Sequence, residues 1–383
     1  MPSSTSVQGA SVTLQNIVRT YGEVRAVDGV SLDVEPGEFV TLLGPSGSGK
    51  TTSLNIVAGF EQATSGQVLV DGKPITGLPA HKRNMGMVFQ NYALFPHMTA
   101  AENIAFPLKE RKVSRANVAV RVQKALELVR LGGFGDRSPA QLSGGQQQRI
   151  ALARSIVYSP QVLLMDEPLG ALDKKLRSWL QEEIKRIHHE LRTTVLFVTH
   201  DQDEALALSD RIALFRDGRI VQVGTPEELW NRPETPFVAD FLGESNLIRG
   251  ILHEHDGFAI AGNRFAVAGR EELALGAEHT LLVRPENVAV TPDHESARAN
   301  KVPGIIGERM FMGSTVHLRI DSALGPLRAL TSVSAGTIAL ATGERVWASW
   351  DPADSRVLRG VDDSIHSIGD DPNVHEVEES PAA

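Results

Sequence analysis

The stretch of sequence that decides the fold is FVTLLGPSGSGKTT, residues 39–52. Its first five residues form a continuous apolar run, which is typical of a parallel strand buried on both faces. Residues 44–51 then fit the pattern G-x-x-x-x-G-K-[ST]. The glycines let successive backbone N–H groups curl around an anion, and the helix that follows points its positive N-terminus at the same place. The stretch therefore predicts a buried strand, a phosphate-binding loop and a helix.

The polar side chains of this loop each have a predicted role. We expect Lys50 to reach the β- and γ-phosphates of a nucleotide and the Thr51 hydroxyl to ligate Mg²⁺. ATP and Mg²⁺ are therefore the predicted cofactors. A simple glycine-rich turn is the alternative, but the strand before the loop and the helix after it favour a nucleotide site. The predicted nucleotide-binding residues are Gly44, Pro45, Ser46, Gly47, Ser48, Gly49, Lys50, Thr51 and Thr52.

A second apolar run, residues 162–165, ends in the acidic pair Asp166-Glu167. Burying two carboxylates at the end of a strand costs free energy unless they bind a ligand. A strand end that is exposed to solvent is the alternative. We expect Asp166 to be a Mg²⁺ ligand through water, and Glu167 to be the general base for an attacking water.

Strands and helices alternate through the first two thirds of the chain, which indicates an open α/β sheet. After about residue 244 the pattern changes to short strand-like runs separated by turn pairs, which favours an all-β barrel or sandwich. The predicted elements of the first part, besides residues 39–43, are helices at 114–131 and 172–191, strands at 162–165 and 195–198, and a hairpin at 211–223 that turns at Asp217-Gly218.

Length and composition limit the number of domains and the classes of function that the chain can have. The 383 residues are enough for more than one domain. The absence of cysteine excludes disulfides, thiolate metal sites and cysteine nucleophiles. The net charge of −9 argues against a nucleic-acid partner. Seven acidic residues and no Lys or Arg lie in residues 361–383, which we expect to be a disordered acidic tail, as we expect residues 1–10 to be disordered.

The segment Leu142-Ser143-Gly144-Gly145-Gln146 resembles the signature of the ATP-binding-cassette (ABC) ATPases. A serine and two glycines at a helix N-terminus form a further anion site. The resemblance implies that this site closes on the ATP held by a second cassette. It therefore adds Ser143, Gly144, Gly145 and Gln146 to the predicted nucleotide-binding residues.

Four other residues match the same family in order, and the resemblance covers about residues 12–240. Gln90 resembles the glutamine that touches Mg²⁺ and the attacking water, and His200 resembles the histidine that contacts the γ-phosphate. Asp173, in Ala171-Leu172-Asp173, resembles the D-loop aspartate, and Tyr21 resembles the aromatic residue that stacks on adenine. The resemblance therefore implies that Glu167, His200 and Gln90 are catalytic and that Thr51, Gln90 and Asp166 hold the metal.

The last part of the chain resembles the regulatory β-domain of importer ATPases of the spermidine/putrescine, ferric-iron, sulfate and sugar systems, and the polyamine branch most. A barrel used only for dimer contacts is the alternative. The segments that carry the resemblance are residues 241–246, 283–288 and 308–314. The implied architecture is an α/β P-loop ATPase cassette at residues 11–243, with an inserted helical subdomain at about 91–158, followed by an OB-like β-barrel at 244–360.

The resemblance also implies partners. One P-loop and one signature per chain require a second cassette, which is most simply a second copy of this chain. No stretch approaches ~18 consecutive apolar residues, so the pore comes from integral membrane permease subunits. Residues 91–99 suit a groove that receives a helix from them, and ordinary core of the helical subdomain is the alternative. An extracytoplasmic solute-binding protein is an indirect partner, and the predicted location is the cytoplasmic face of the inner membrane.

The predicted function is ATP hydrolysis that drives the import of a solute, with a polyamine as the first candidate. A ferric-iron, sulfate, phosphonate or sugar importer, or a non-transport ABC ATPase, is the alternative. An exporter ATPase often lacks a β-domain after residue 244, and a P-loop kinase lacks the segment Leu142 to Gln146.

Overall fold

The computed structural model describes residues 9–170, 173–253, 257–260, 262–268, 273–334 and 340–362. The chain divides into two compact units, Met1–Glu227 and Glu228–Ala383. Among the described residues, no helix is both long enough and apolar enough to cross a membrane.

A six-stranded sheet lies at the centre of the first unit. Its strands, in spatial order, are β10 (Arg219–Gly224), β9 (Arg211–Arg216), β3 (Phe39–Leu43), β8 (Thr194–Thr199), β7 (Val162–Asp166) and β6 (Gly86–Val88). All neighbours are parallel except the hairpin of β9 and β10. Successive residues of β7 and β8 alternate between two apolar clusters, one on each face of the sheet. Burial on both faces explains why these strands are continuously apolar in sequence.

A second, antiparallel sheet packs in the first unit, and none of its strands is among the elements predicted above. Its strands are β2 (Val24–Val34), β1 (Val12–Tyr21), β4 (Ser65–Val70) and β5 (Lys73–Pro74) in spatial order. This sheet shares an apolar cluster with helix α1 (Lys50–Ala58), which begins directly after the predicted phosphate loop.

Five further helices belong to the first unit. They are α2 (Ala100–Glu110), α3 (Arg115–Leu128), α4 (Gly144–Ile156), α5 (Lys174–Leu191) and α6 (Gln202–Leu208), with single 3-10 turns at Ala80–Lys82 and Pro139–Gln141. The predicted helices at 114–131 and 172–191 are confirmed as α3 and α5 in their described residues. The hairpin is also confirmed, with Asp217 and Gly218 both at positive φ. The helices α2 to α4 lie inside the span predicted for the inserted helical subdomain.

The prediction that residues 1–10 are disordered is wrong for Gly9 and Ala10. Ala10 is fully buried, and Gly9 donates a backbone hydrogen bond to the carbonyl of Arg192. A Cβ on Gly9 would lie 2.5 Å from the backbone nitrogen of Gly37, so only glycine fits against this strand edge. Residues 1–8, Ala171-Leu172 of the D-loop and the acidic tail from residue 363 lie outside the described residues.

The second unit is all-β apart from the helices α7 (Pro226–Asn231) and α8 (Pro236–Leu242) and two 3-10 turns, Pro285–Asn287 and Pro352–Asp354. Two five-stranded antiparallel sheets enclose one apolar core that includes Trp350. The strands of the first sheet, in spatial order, are β13 (Asn263–Phe265), β12 (Gly257–Ile260), β11 (Asn246–His253), β14 (Glu278–Val283) and β20 (Ser355–Leu358). Those of the second sheet, also in spatial order, are β15 (Ala289–Thr291), β19 (Arg345–Trp350), β16 (Asn300–Phe311), β17 (Thr315–Ser322) and β18 (Gly325–Ser332). The all-β prediction is confirmed.

The boundary between the units differs from the predicted position after residue 243. The structure groups residues 228–243 with the second unit. The buried guanidinium of Arg284 explains this grouping, because it donates hydrogen bonds to the backbone carbonyls of Trp230, Ala239 and Gly243. Sequence reasoning placed the boundary at the change from helical to strand pattern, but packing of the two short helices decides it.

Candidate nucleotide site

The topology of the central sheet brings several predicted site residues to one edge. Because β3, β6, β7 and β8 are parallel, the loops that follow them leave the sheet at the same edge. Leu43 is in register with Thr199, and Asp166 is in register with Val198. The phosphate loop, the acidic pair, Gln90 and His200 therefore start from neighbouring strand ends.

The loop after β3 has the backbone that its glycines predict. Gly47 and Gly49 have φ values of 79° and 98°, and Gly49 immediately precedes α1. A Cβ on Gly49 would lie 2.4 Å from the backbone oxygen of Ala26, so the position is both conformationally and sterically restricted to glycine. The loop is thus a cradle of backbone N–H groups at a helix N-terminus, which suits a phosphate.

Lys50 is a buried cation, with the residue 4% exposed, and it has no carboxylate partner among the ion pairs of the described residues. Its ammonium donates to the backbone oxygens of Gly44 and Pro45, each at 2.8 Å. Burial lowers the pKa of Lys50, and the negative charges of Glu167 and Asp166 oppose that shift. A buried ammonium bound only by neutral groups is a site for an anion.

Thr51 and Asp166 meet across the edge of the sheet. The Thr51 hydroxyl donates a hydrogen bond of 3.0 Å to Asp166 Oδ1. Burial raises the pKa of Asp166, while the bond from Thr51 lowers it and the neighbouring Glu167 raises it further. The pair presents two oxygen ligands of the kind that Mg²⁺ binds.

Glu167 lies between the two other predicted catalytic residues. Gln90 Nε2 donates to Glu167 Oε2 at 3.1 Å, and His200 Nδ1 lies 3.2 Å from Glu167 Oε1. Glu167 itself has a φ of 42°, and its backbone N–H donates to the carbonyl of Val198 at 2.9 Å. A left-handed glutamate costs about 1–3 kcal/mol of strain, and such strain is typical of active sites.

The signature residues lie at a different helix. Ser143 caps α4 in a reciprocal capping box, because its hydroxyl accepts from the Gln146 N–H and Gln146 Oε1 accepts from the Ser143 N–H. The Cβ of a residue replacing Gly145 would lie 2.7 Å from Leu176 Cδ2, so the Leu176 side chain would have to shift, whereas a Cβ on Gly144 would meet no atom within 4 Å. The capping box thus gives Ser143 and Gln146 a local role, and neither of its hydrogen bonds involves the phosphate loop.

Tyr21 and Asp173 also stand apart from the cluster around Glu167. Tyr21, the last residue of β1, is 46% exposed, and Arg19 lies over its ring at 4.4 Å. Its hydroxyl donates to Glu61 Oε1. Asp173 Oδ1 accepts from the Leu176 N–H and caps α5. Thr52 is half-buried in the first turn of α1.

Sequence reasoning missed a buried carboxylate beside this edge, Glu204 on α6. Thr199 donates to Glu204 Oε2 at 2.7 Å, and Arg177 lies 3.6 Å from Glu204 Oε1 and 2.8 Å from Asp201 Oδ2. Burial raises the pKa of Glu204 to about 7. The one available signal was a glutamate on the inner face of a short helix directly after His200.

The fold and this edge together define a P-loop ATPase. Two family models match the chain, one described as ABC transporter at residues 27–170 and one described as TOBE domain at residues 281–358. Among solved structures, the ATP-binding cassette MJ0796, in a dimeric post-hydrolysis state bound to ADP and Pi, aligns with a TM-score of 0.51 and 35% identity over 56% of this chain and 98% of that chain.

Curated relatives match over most of the length. The spermidine/putrescine import ATP-binding protein PotA of Thermobifida fusca (strain YX) is 44% identical over 361 residues, which cover 91% of this chain and 94% of the relative. The Fe(3+) ions import ATP-binding protein FbpC 1 of Rhizobium meliloti (strain 1021) is 45% identical over 325 residues, which cover 84% and 91%. This chain belongs to the family of ABC transporter ATP-binding proteins. It is an ABC importer ATPase, an enzyme whose ATP hydrolysis powers transport.

Proposed function

We propose that this chain drives the uptake of a polyamine, spermidine or putrescine. The observation that carries the proposal is the likeness to PotA over 91% of the chain, including the second unit. The comparably similar iron-import relative supports ferric iron as the second candidate. Both cargoes are cations, and neither need touch this chain, because the solute passes through other subunits.

ATP with Mg²⁺ is the proposed form of the nucleotide at the edge described above. The buried ammonium of Lys50 suits the β- and γ-phosphates, and Thr51 with Asp166 suits the metal. Within the described residues, no group of three or more His, Asp or Glu is placed to hold a metal ion. That fits Mg²⁺, which is typically held by one or two protein oxygens together with substrate phosphates. When bound, the ion neutralises charge on the phosphates.

Glu167 is the proposed general base for the attacking water. Its two carboxylate oxygens are held by Gln90 and His200, so the side chain has a fixed orientation while 19% of it stays accessible to solvent. Gln90 and His200 carry polar groups that position the water and contact the γ-phosphate. ATP is bound by the phosphate loop and the proton is taken by Glu167. Binding and proton abstraction therefore use different residues of the same unit.

A second copy of this chain is the proposed partner at the signature segment. The hydroxyl of Ser143 and the N-terminus of α4 form an anion site that is separate from Lys50 within one chain. The dimeric state of the MJ0796 cassette supports the arrangement. In the proposed cycle, ATP is bound between Lys50 of one chain and Ser143 of the other, and hydrolysis reopens the dimer. Tyr21 and Asp173 are proposed to contact the nucleotide in that closed state.

The proposed membrane partners are permease subunits, which bind at residues 91–99 on the cytoplasmic face of the membrane. In this segment Phe95 packs on Phe106 at a ring distance of 4.7 Å, and Asn103 binds both the N–H and the carbonyl of Phe95. His97 and Pro96 are exposed. An ordered segment with exposed side chains suits a docking site for a helix. A solute-binding protein on the outer side is the indirect partner.

The cargo is tested by reconstituting the chain with its permease subunits in liposomes and measuring ATP hydrolysis. Spermidine- or putrescine-loaded binding protein is expected to stimulate hydrolysis, and binding protein without solute serves as the control. Stimulation by a ferric-iron-loaded or sugar-loaded binding protein, with no response to the polyamine-loaded ones, would show that the polyamine assignment is wrong.

The catalytic assignment is tested with Glu167→Gln. We expect ATPase activity to fall by at least about 100-fold, because the amide cannot accept the proton. ATP binding should remain, and ATP should convert the variant to a dimer that is measurable by light scattering. Glu182→Gln, on the exposed face of α5, is the matched control and should keep wild-type turnover. Wild-type turnover by Glu167→Gln would remove Glu167 as the base.

A further inference from the structure

The loop after Gln90 contains two consecutive residues in a costly backbone conformation. Tyr92 has a φ of 61° and Ala93 a φ of 45°, and neither is a glycine. The Tyr92 N–H donates to the Phe89 carbonyl, and the Ala93 N–H donates to the Asn91 carbonyl, so the turn is tight. Such a pair persists only where surrounding contacts hold it in place.

Arg154, on the helix α4, supplies those contacts. Its Nη1 donates to the carbonyl of Ala93 at 2.8 Å, and its Nη2 donates to the carbonyl of Tyr92 at 3.0 Å. The guanidinium also lies over the ring of Phe95 at 5.5 Å. The planar fork of arginine is suited to hold two carbonyls at a fixed spacing. One side chain therefore fixes both left-handed residues.

This clamp joins two parts of the proposed catalytic machinery. On one side, Tyr92 is two residues from Gln90, whose amide donates to Glu167. On the other side, Arg154 belongs to the same helix that Ser143 caps at its N-terminus. A helix moves as a rigid body over such a length, so a shift of the Ser143 end is carried to the carbonyls that Arg154 holds.

We propose that Arg154 is a positioning residue for ATP hydrolysis: it ties the loop of Gln90 to the helix of the signature segment, so that the position of α4 sets the contact between Gln90 and Glu167. The inference rests on the roles proposed above for Gln90 and Glu167. It adds a residue that touches neither nucleotide nor metal but that determines whether the base is oriented.

Arg186, on the helix α5, offers a control. Its Nη2 donates to the carbonyl of Leu128 at 2.5 Å and to Glu183 Oε2 at 3.0 Å, and its Nη1 donates to Glu190 Oε2 at 3.1 Å. Arg186 is therefore a partly buried arginine that also binds a backbone carbonyl, but that carbonyl is outside both the Gln90 loop and the signature segment.

The test compares Arg154→Gln with Arg186→Gln in the full chain. We expect Arg154→Gln to lower kcat by roughly 10- to 100-fold, because a misplaced orienting group costs about that much. Its KM and Kd for ATP should stay within about twofold, because the phosphate loop is untouched. Arg186→Gln should keep kcat within about threefold of wild type, even if its Tm falls as far as that of Arg154→Gln. Equal losses of kcat in the two variants, or wild-type kcat in Arg154→Gln, would overturn the proposal.

A second variant separates positioning from folding. Glycine adopts a φ near +45° without steric cost, so Ala93→Gly in the Arg154→Gln background should restore kcat by several-fold. Arg154→Lys, which keeps the charge but not the fork, should be intermediate. No rescue by Ala93→Gly would show that the clamp does not act through the left-handed turn. Wild-type turnover by Glu167→Gln would show that the proposed catalytic role of Glu167 is wrong. Wild-type turnover by Arg154→Gln alone would show that only the present inference is wrong.

Discussion

At the scale of single residues, the candidate site consists of charged groups whose burial is compensated by few partners. Lys50 is bound by two backbone oxygens and the Ser48 hydroxyl, and Asp166 by one hydroxyl. Groups in such surroundings have a raised free energy that a charged ligand relieves. The residue types were therefore readable from the sequence, because each is required by the chemistry of phosphate binding. The pairing of Glu167 with both Gln90 and His200 was not, since it depends on three loops.

Glu204 gives a pH dependence with a definite sign. Burial is the main cause that raises its pKa from 4.5 to about 7, and Asp201 adds to the shift, while Thr199, Arg177 and His200 oppose it. Between those two values the folded chain holds more protons than the unfolded chain, so this group lowers stability as the pH rises through the window from 4.5 to 7. Glu204→Gln, which cannot ionise, should lack that loss.

The measurement is thermal unfolding of wild type and Glu204→Gln at pH 5 and pH 8. We expect the variant to gain about 1–3 kcal/mol relative to wild type between the two pH values, a shift of several degrees in Tm. Glu182→Gln should follow wild type at both. If the stability difference between wild type and Glu204→Gln is the same at pH 5 and pH 8, the raised pKa of Glu204 is contradicted.

At the scale of elements, the helix after the phosphate loop is held at both ends. Gly49 precedes its first residue, and Gly59, with a φ of 83°, caps its C-terminal end. Arg83 then binds the carbonyls of Ile56 and Val57 at the helix C-terminus, and those of Thr76 and Leu78 as well. The glycines were predictable because local backbone geometry demands them. The role of Arg83 was not, because it comes from a segment with no helical or strand pattern.

Arg83→Ala should therefore destabilise the first unit. The change leaves buried carbonyls without their donor and removes a cation from the negative end of α1, and we expect a loss of about 2–4 kcal/mol in the free energy of unfolding. Urea unfolding measures it. Arg25→Ala removes an arginine whose side chain is 64% exposed, so it should change stability by less than about 0.5 kcal/mol. Equal effects from the two substitutions would show that Arg83 does not hold the helix end.

At the scale of the whole molecule, the chain is two units with separate apolar cores. The first has clusters on both faces of its central sheet, and the second has its own core between two antiparallel sheets. Arg284 attaches residues 228–243 to the second unit, and burial lowers its pKa to about 10. The two units should therefore respond to different substitutions.

Arg284→Ala should lower the stability of the second unit while KM for ATP stays unchanged. The reason is that the backbone carbonyls of Trp230 and Ala239 lose a buried charged donor, at a cost of about 2–4 kcal/mol. Scanning calorimetry with ATPase assays at 25 °C checks both expectations. Arg345→Ala, at an exposed position of β19, is the control and should leave the unfolding temperature of the second unit unchanged. A large rise in KM for ATP would contradict the expectation that Arg284→Ala affects the second unit alone.

The sequence by itself determined the parts of this protein that depend on local chemistry. The buried strand and loop of residues 39–52, the acidic pair at the end of β7, the signature segment and the all-β character of the second unit follow from residue types at fixed spacing, because backbone geometry and phosphate binding admit few alternatives. Only the tertiary structure decided the antiparallel sheet of β1 and its neighbours, the domain boundary at residue 227, the contact of Gln90 with Glu167 and the clamp of Arg154. These depend on pairing between segments far apart in the chain, and no local pattern encodes which distant groups will meet.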